Sequence, residues 1–144
     1  MITIKSKEEI ELMRKAGYLV SLTHQYLKPL IKPGITTKEL DLRAEKFIKE
    51  HDGIPTCKGY EGFPATLCVS VNDEVVHGIP GKRKLRNGDI VTIDMVIGYH
   101  GYQGDAAWTY AVGDISEEKK IPNGTYRKSS IRRNQTSKTR QPYW

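Results

Sequence analysis

Gly88-Asp89-Ile90-Val91-Thr92-Ile93-Asp94-Met95-Val96-Ile97-Gly98-Tyr99-His100-Gly101-Tyr102-Gln103-Gly104-Asp105-Ala106-Ala107-Trp108-Thr109-Tyr110-Ala111-Val112 is the stretch on which the architecture turns. Residues 89–97 alternate with period two: Val91, Ile93, Met95 and Ile97 take one face of a strand, and Ile90, Thr92, Asp94 and Val96 the other. Residues 105–112 repeat the period, with Asp105 in line with Ala107, Thr109 and Ala111. A reversal at Tyr99-His100 predicts an antiparallel hairpin. In it Asp94 and Asp105 become cross-strand neighbours on one face, whereas a slip of one residue would send one of them through the sheet. Two like charges across a ladder repel, and a carboxylate amid apolar residues is costly unless something satisfies it.

Three environments would satisfy the pair. Both carboxylates can sit at a solvated edge and bind nothing. They can share a proton, although nothing near them looks like the duplicated motif of such a protease site. Or they can hold a divalent cation: hard oxygen donors on two rigid strands suit Mg²⁺, Mn²⁺ or Fe²⁺, and a bridging carboxylate can serve two ions. The two aspartates alone do not choose among these.

Upstream, the period changes to that of helices. Ser6 and Glu9 have the spacing of a capping box, and Ile10, Met13, Ala16, Gly17, Val20 and Leu27 recur as an apolar stripe until Pro29, Pro33 and Gly34. Thr36 and Glu39 repeat the box; Leu40, Ala44, Phe47 and Ile48 form the second stripe, and Gly53 ends it. Ala65–Val71 reads as a strand with Leu67, Val69 and Val71 on one side, followed by a turn at Asn72-Asp73 and a short run Glu74–His77. Gly78-Ile79-Pro80-Gly81 is a loop, and the basic stretch Lys82–Arg86 a solvated connector. Two helices followed by strands predict an α+β domain, the helices packed on an antiparallel sheet.

Composition sets limits on class. The 144 residues, 38% hydrophobic, suffice for one domain with a core. No run is long and apolar enough for a membrane span, and the N-terminus lacks the apolar stretch of a secretory signal. Two cysteines exclude a disulfide-dense scaffold and fit a reduced, cytoplasmic setting. The net charge of +6 is not spread along the chain: all 17 acidic residues lie in residues 1–120. Residues 121–144 carry Arg127, Lys128, Arg132, Arg133, Lys138 and Arg140 without one acid, and so hold the whole excess.

Four segments carry a resemblance: Tyr60-Glu61-Gly62-Phe63-Pro64, Cys68–Pro80, Gly88–Asp94 and Gly101–Thr109. With them, residues 1–120 resemble the N-terminal half of the type I methionine aminopeptidases, metallopeptidases of the pita-bread fold. The spacing of Asp94 and Asp105 is that of the family's first two metal ligands. The resemblance implies that Asp94 is a terminal ligand and Asp105 a bridging one in a site for two divalent ions (Mn, Fe, Co, Zn or Mg). His77 matches a catalytic, substrate-contacting histidine outside the metal shell. Cys57, Tyr60, Phe63 and Cys68 match positions lining a pocket for the methionine side chain, where soft sulfur and aromatic walls suit a thioether. Read without the resemblance, His77 is a loop histidine beside Gly78, and Cys68 and Phe63 are core residues. The implied activity is metal-dependent hydrolytic removal of the N-terminal methionine from peptides or nascent polypeptides.

The chain also departs from the family. The other three ligands of the family site, a His and two Glu, lie in a second half of the domain. Here His24, His51, His77 and His100 all precede Asp105, and only Glu117 and Glu118 follow it. Gln103 stands where many relatives carry His. The expectation is a site holding at most one ion, weakly, and a chain with little or no activity. Ser116 begins a helix that Ile121-Pro122-Asn123-Gly124 stops, and residues 121–144 read as a basic, disordered tail. Two origins account for the switch at Lys120: foreign sequence, as a shifted reading frame produces, or a native basic arm that binds nucleic acid through phosphates. The second origin would suit a non-catalytic binding module built on the same half-domain.

Overall fold

A computed structural model describes residues 4–120 of the chain. Helix α1 (Lys7–Leu27) starts at the predicted cap: the Glu9 amide donates to the Ser6 hydroxyl (3.2 Å) and the Ser6 amide to the Glu9 carboxylate (2.6 Å). The helix ends at Leu27 as its stripe predicts, and Pro29 follows within a single tight turn, Lys28–Leu30. Helix α2 (Thr37–Glu50) repeats the box with Thr36 and Glu39. It ends in a Schellman motif: the Gly53 amide reaches the Ile48 carbonyl at 2.9 Å and the Asp52 amide that of Lys49. The left-handed residue there is Asp52 (φ 57°), so Gly53 has a different reason to be glycine. A Cβ at Gly53 would lie 2.6 Å from the Leu19 side chain.

Four strands follow: β1 (Ile54–Pro55), β2 (Cys68–Val71), β3 (Ile90–Tyr99) and β4 (Tyr102–Ala111). All pairings are antiparallel. Residues 91–94 of β3 pair with both β2 and β4, and residues 97–98 with both β1 and β4. Hence β4 lies on one edge of β3, and β1 and β2 lie end to end on the other. Beyond this sheet, helical residues 117–120 begin at Ser116, whose carbonyl accepts from the amides of Lys119 and Lys120. They belong to a second unit that opens at Ile115. The expectations for residues 121–144 lie outside the described residues.

The face carrying Val91, Ile93, Met95 and Ile97 is fully buried against the helices. It joins Leu19, Val20 and Leu27 of α1 to Leu40, Ala44 and Ile48 of α2 in one core. Tyr26 of α1 stacks on Phe47 of α2 at 4.4 Å between ring centroids. The sheet approaches α1 closely at Gly104, where a Cβ would come within 2.6 Å of the Ala16 backbone. Three residues of the α1 stripe, Ile10, Met13 and Gly17, are exposed, although the Tyr102 hydroxyl of β4 reaches the Glu9 carboxylate at 2.6 Å. Leu12 and Leu22, outside that stripe, are half-buried in their place.

The strand from 65 to 71 is shorter than its pattern, and the cause is a buried charge. Asp41 of α2, 1% exposed, accepts the Thr66 and Leu67 amides at 2.8 and 2.9 Å, so residues 65–67 pair with a carboxylate instead of a strand. Glu74–His77 forms no strand either; Val75 is 87% exposed and His77 turns the chain at φ 57°. The basic connector is not wholly solvated. Leu85 is buried, and its amide and carbonyl bond to Ile35 and Gly34 at 2.8 Å each. Among the described residues, no helix is long and apolar enough to cross a membrane.

Candidate active site

The hairpin reverses one residue later than its sequence suggests. His100 (φ 46°) and Gly101 (φ 86°) form the two-residue turn, and Tyr99 pairs with Tyr102. A turn with two positive φ values needs glycine or a tolerant residue, which Gly101 and His100 supply and Tyr99 would not. Moving the turn by one residue shifts the pairing by two, so the face assignment survives. Asp94 stands opposite Ala107 and Asp105 opposite Val96. The two aspartates are therefore diagonal neighbours on one face, their backbone positions about 7–8 Å apart in such a ladder, rather than directly opposed.

Across the same face, Cys68 of β2 pairs with Asp94. Beside it, the Thr56 amide donates to the Val96 carbonyl at 3.1 Å, which brings Cys57 to the same corner. The loop after β2 folds back on that strand: the Val69 amide donates to the Gly78 carbonyl (2.8 Å) and the Gly78 amide to the Ser70 hydroxyl (3.2 Å). Only glycine fits at 78, since a Cβ would fall 2.2 Å from the Val69 carbonyl oxygen. This close approach turns His77 toward the same corner. The loop 59–63 closes on itself through the Gly59 amide and Phe63 carbonyl at 2.8 Å.

These elements enclose one cavity of about 550 Å³. Cys57, Tyr60, Phe63, Cys68, His77, Asp94 and Asp105 all line it, so every residue singled out in the sequence is brought together. Glu61, Gly62, Pro64, Ile79 and Val96 complete the wall. Val96 follows from period two, one pleat beyond Asp94; Glu61 and Ile79 lie inside the recognised segments without any pattern that marks them.

The electrostatics of the cavity are one-sided. Burial, and then the charge of Asp105, raise the Asp94 carboxyl above its ordinary value, while His77 and His24 partly offset this. Neither aspartate makes an ion pair among the described residues, and no lysine or arginine lines the cavity. A pair of oxygen donors left uncompensated in this way fits part of a divalent-cation site. It is part only, since the described residues contain no cluster of three or more potential ligands. Burial also pushes the Cys68 thiol up to about 11 and raises that of Cys57. Cys68 is thus a neutral thiol at pH 7, a soft wall rather than a nucleophile.

On the opposite side of β4, His24 bridges α1 to the strand. Its Nε2 donates to the Ala106 carbonyl (3.3 Å), which leaves Nδ1 to accept from the Tyr110 hydroxyl at 2.9 Å. Burial holds the His24 pKa below its ordinary value. A base whose folded pKa is lowered contributes stability above its unfolded pKa, about 6.5, and loses it as pH falls. Urea unfolding at pH 7.5 and pH 5.5 is expected to show lower stability at the acid pH. His24→Gln should flatten that difference; an unchanged slope would remove His24 as its source.

Residues 11–126 match the model of metallopeptidase family M24. The chain is 57% identical over 120 residues to methionine aminopeptidase 1 of Bacillus subtilis (strain 168), a match covering 83% of this chain and 48% of that protein. It is 55% identical over 119 residues to methionine aminopeptidase of Clostridium acetobutylicum, covering 82% of this chain and 48% of that one. The crystal structure of methionine aminopeptidase from Rickettsia prowazekii is similar at a TM-score of 0.82 and 39% identity, over 84% of this chain and 49% of that chain. The prolidase from Pyrococcus furiosus, at 23% identity and a TM-score of 0.71, shares the fold. The chain spans about half the length of the curated relatives it matches. Its fold is α+β, the N-terminal half of a pita-bread domain. A match that runs through both helices, the hairpin and every residue of the cavity leaves one assignment: the chain belongs to metallopeptidase family M24.

Proposed function

We propose that this chain carries the methionine-recognising half of an aminopeptidase site that removes N-terminal methionine from newly made polypeptides in the cytoplasm. The observation that supports this reading is the convergence of two aspartates, a histidine, two thiols and two aromatic rings on one cavity. Asp94 and Asp105 would hold divalent ions, Mn, Fe, Co, Zn or Mg, two in a complete site. When bound, such ions supply Lewis-acid activation of water and of the peptide carbonyl. His77, placed by the tight Gly78 turn, donates or accepts a hydrogen bond at the reacting peptide group. Cys57, Cys68, Tyr60 and Phe63 enclose the methionine side chain in a soft, apolar wall and exclude water from it.

With two carboxylates in place of a full ligand set, we expect binding to outrun catalysis. In the presence of Mn²⁺ or Co²⁺, a fluorescent Met-Ala peptide should bind the chain more tightly than an Ala-Ala peptide, with little or no release of methionine. Equal binding of the two peptides would overturn the reading. Methionine release abolished by Asp105→Ala would show instead that this half-domain is catalytically sufficient. The second reading, a module whose basic tail binds nucleic acid, rests on residues 121–144, which lie outside the described residues.

A further inference from the structure

Three charged side chains line the cavity, all acidic: Asp94, Asp105 and Glu61. The two aspartates share one face of the hairpin, where one cation can neutralise both, whereas Glu61 stands apart from them in the turn Tyr60–Gly62. Its carboxylate makes no hydrogen bond or ion pair among the described residues. It is also held in place. Glu61 has φ 47° and ψ 30°, a left-handed conformation that a non-glycine residue adopts only when its surroundings impose it. The flanking Gly59 (φ 90°) and Gly62 (φ 82°) and the 2.8 Å closure of Gly59 on Phe63 fix it there. Depth grades the cavity: Cys68 is buried, Cys57 and Phe63 are half-buried, and Glu61 lies on an exposed rim with Tyr60, His77, Ile79 and Asp105. A peptide whose first side chain fills the buried end leaves across this rim, where Glu61 is the one carboxylate besides Asp105.

We propose that Glu61 reads the charge of the peptide beyond its second residue, favouring lysine or arginine there and disfavouring aspartate or glutamate. This rests on the reading of the cavity as a site for methionine-initiated peptides. The interaction is a partly exposed charge pair, so its effect is small and falls with salt.

The test compares three peptides that differ only at the third residue, Met-Ala-Lys, Met-Ala-Gln and Met-Ala-Glu, each labelled at the C-terminus. Their binding to the 144-residue chain is read by fluorescence anisotropy with Mn²⁺ at low and high NaCl. The expected order is Lys, Gln, Glu, with each step about threefold and shrinking as salt rises. E61Q should flatten the order and E61K reverse it. If all three peptides bind the wild-type chain equally, or E61Q keeps the order, Glu61 is not the reader, although the pocket remains one for methionine. If none binds better than an Ala-Ala-Lys control, the pocket reading fails and this inference with it.

Discussion

Replacing Asp41 with alanine is expected to lower the unfolding free energy by about 3–5 kcal/mol, without touching any residue of the cavity. One carboxylate oxygen accepts two buried amides, those of Thr66 and Leu67, and the other meets the Lys38 ammonium at 3.3 Å. Alanine removes two charge-assisted hydrogen bonds and leaves two buried N–H groups unsatisfied, each costing about 1–3 kcal/mol. Lys38 is half exposed, so its share of the loss is minor. Asp41→Asn keeps an acceptor oxygen for both amides and should cost less than half as much. Urea titrations of the two variants check this: similar losses would mean that the buried charge matters and the acceptor geometry does not. Since residues 65–67 lead directly into Cys68, the alanine variant should also loosen the cavity wall.

The second large effect separates a ligand from a structural carboxylate by its sign. Asp94→Asn and Asp105→Asn are each expected to reduce Mn²⁺ affinity by about 100-fold or more, because losing even an outer partner of a metal site costs about 10–100-fold. Without metal the same changes should stabilise the fold, by up to about 1 kcal/mol, since they remove a like-charge pair. The pH dependence has a matching sign. The raised carboxyl of Asp94 takes up a proton in the folded state that the unfolded chain releases. Metal-free stability is therefore lost as pH rises from the unfolded value near 3.8 through the raised one. Isothermal titration with Mn²⁺ and thermal melts in chelator test the two halves. A variant that melts lower in chelator while keeping its Mn²⁺ affinity would place these aspartates in the framework of the sheet.

What was legible in the sequence follows from how local each signal is. The caps at Ser6 and Thr36 were readable because a capping box closes within four residues. The buried face of β3 was readable because period two is a property of the strand itself. What failed depended on distant partners. Nothing near Asp41 announces that it will take over the amides of residues 66 and 67. Nothing near Ile10 or Met13 says that they will be exposed while Leu12 and Leu22 are half-buried. The two-residue strand β1 is too short for any periodicity and exists only because β3 offers it an edge. For the cavity, Asp94 and Asp105 could be placed on one face by counting. The gathering of Cys57, Phe63 and His77 around them came from the resemblance, as three separate loops carry no shared pattern.

The turn at His100-Gly101 has a consequence for how the length of this chain can vary. Each residue of β4 is assigned to the cavity side or the helix side by the parity of its distance from that turn. One residue inserted or deleted there would carry Asp105 to the helix side and aim the Cβ of Ala106 or a neighbour at the cavity. The same change would move Gly104 off the point where it clears α1. Two residues, with the turn recentred, would lengthen the hairpin by one rung and leave every pairing, and the Gly104 contact, where they are. The hairpin thus acts as a ruler that counts in twos: site geometry and helix packing are both indexed to one turn.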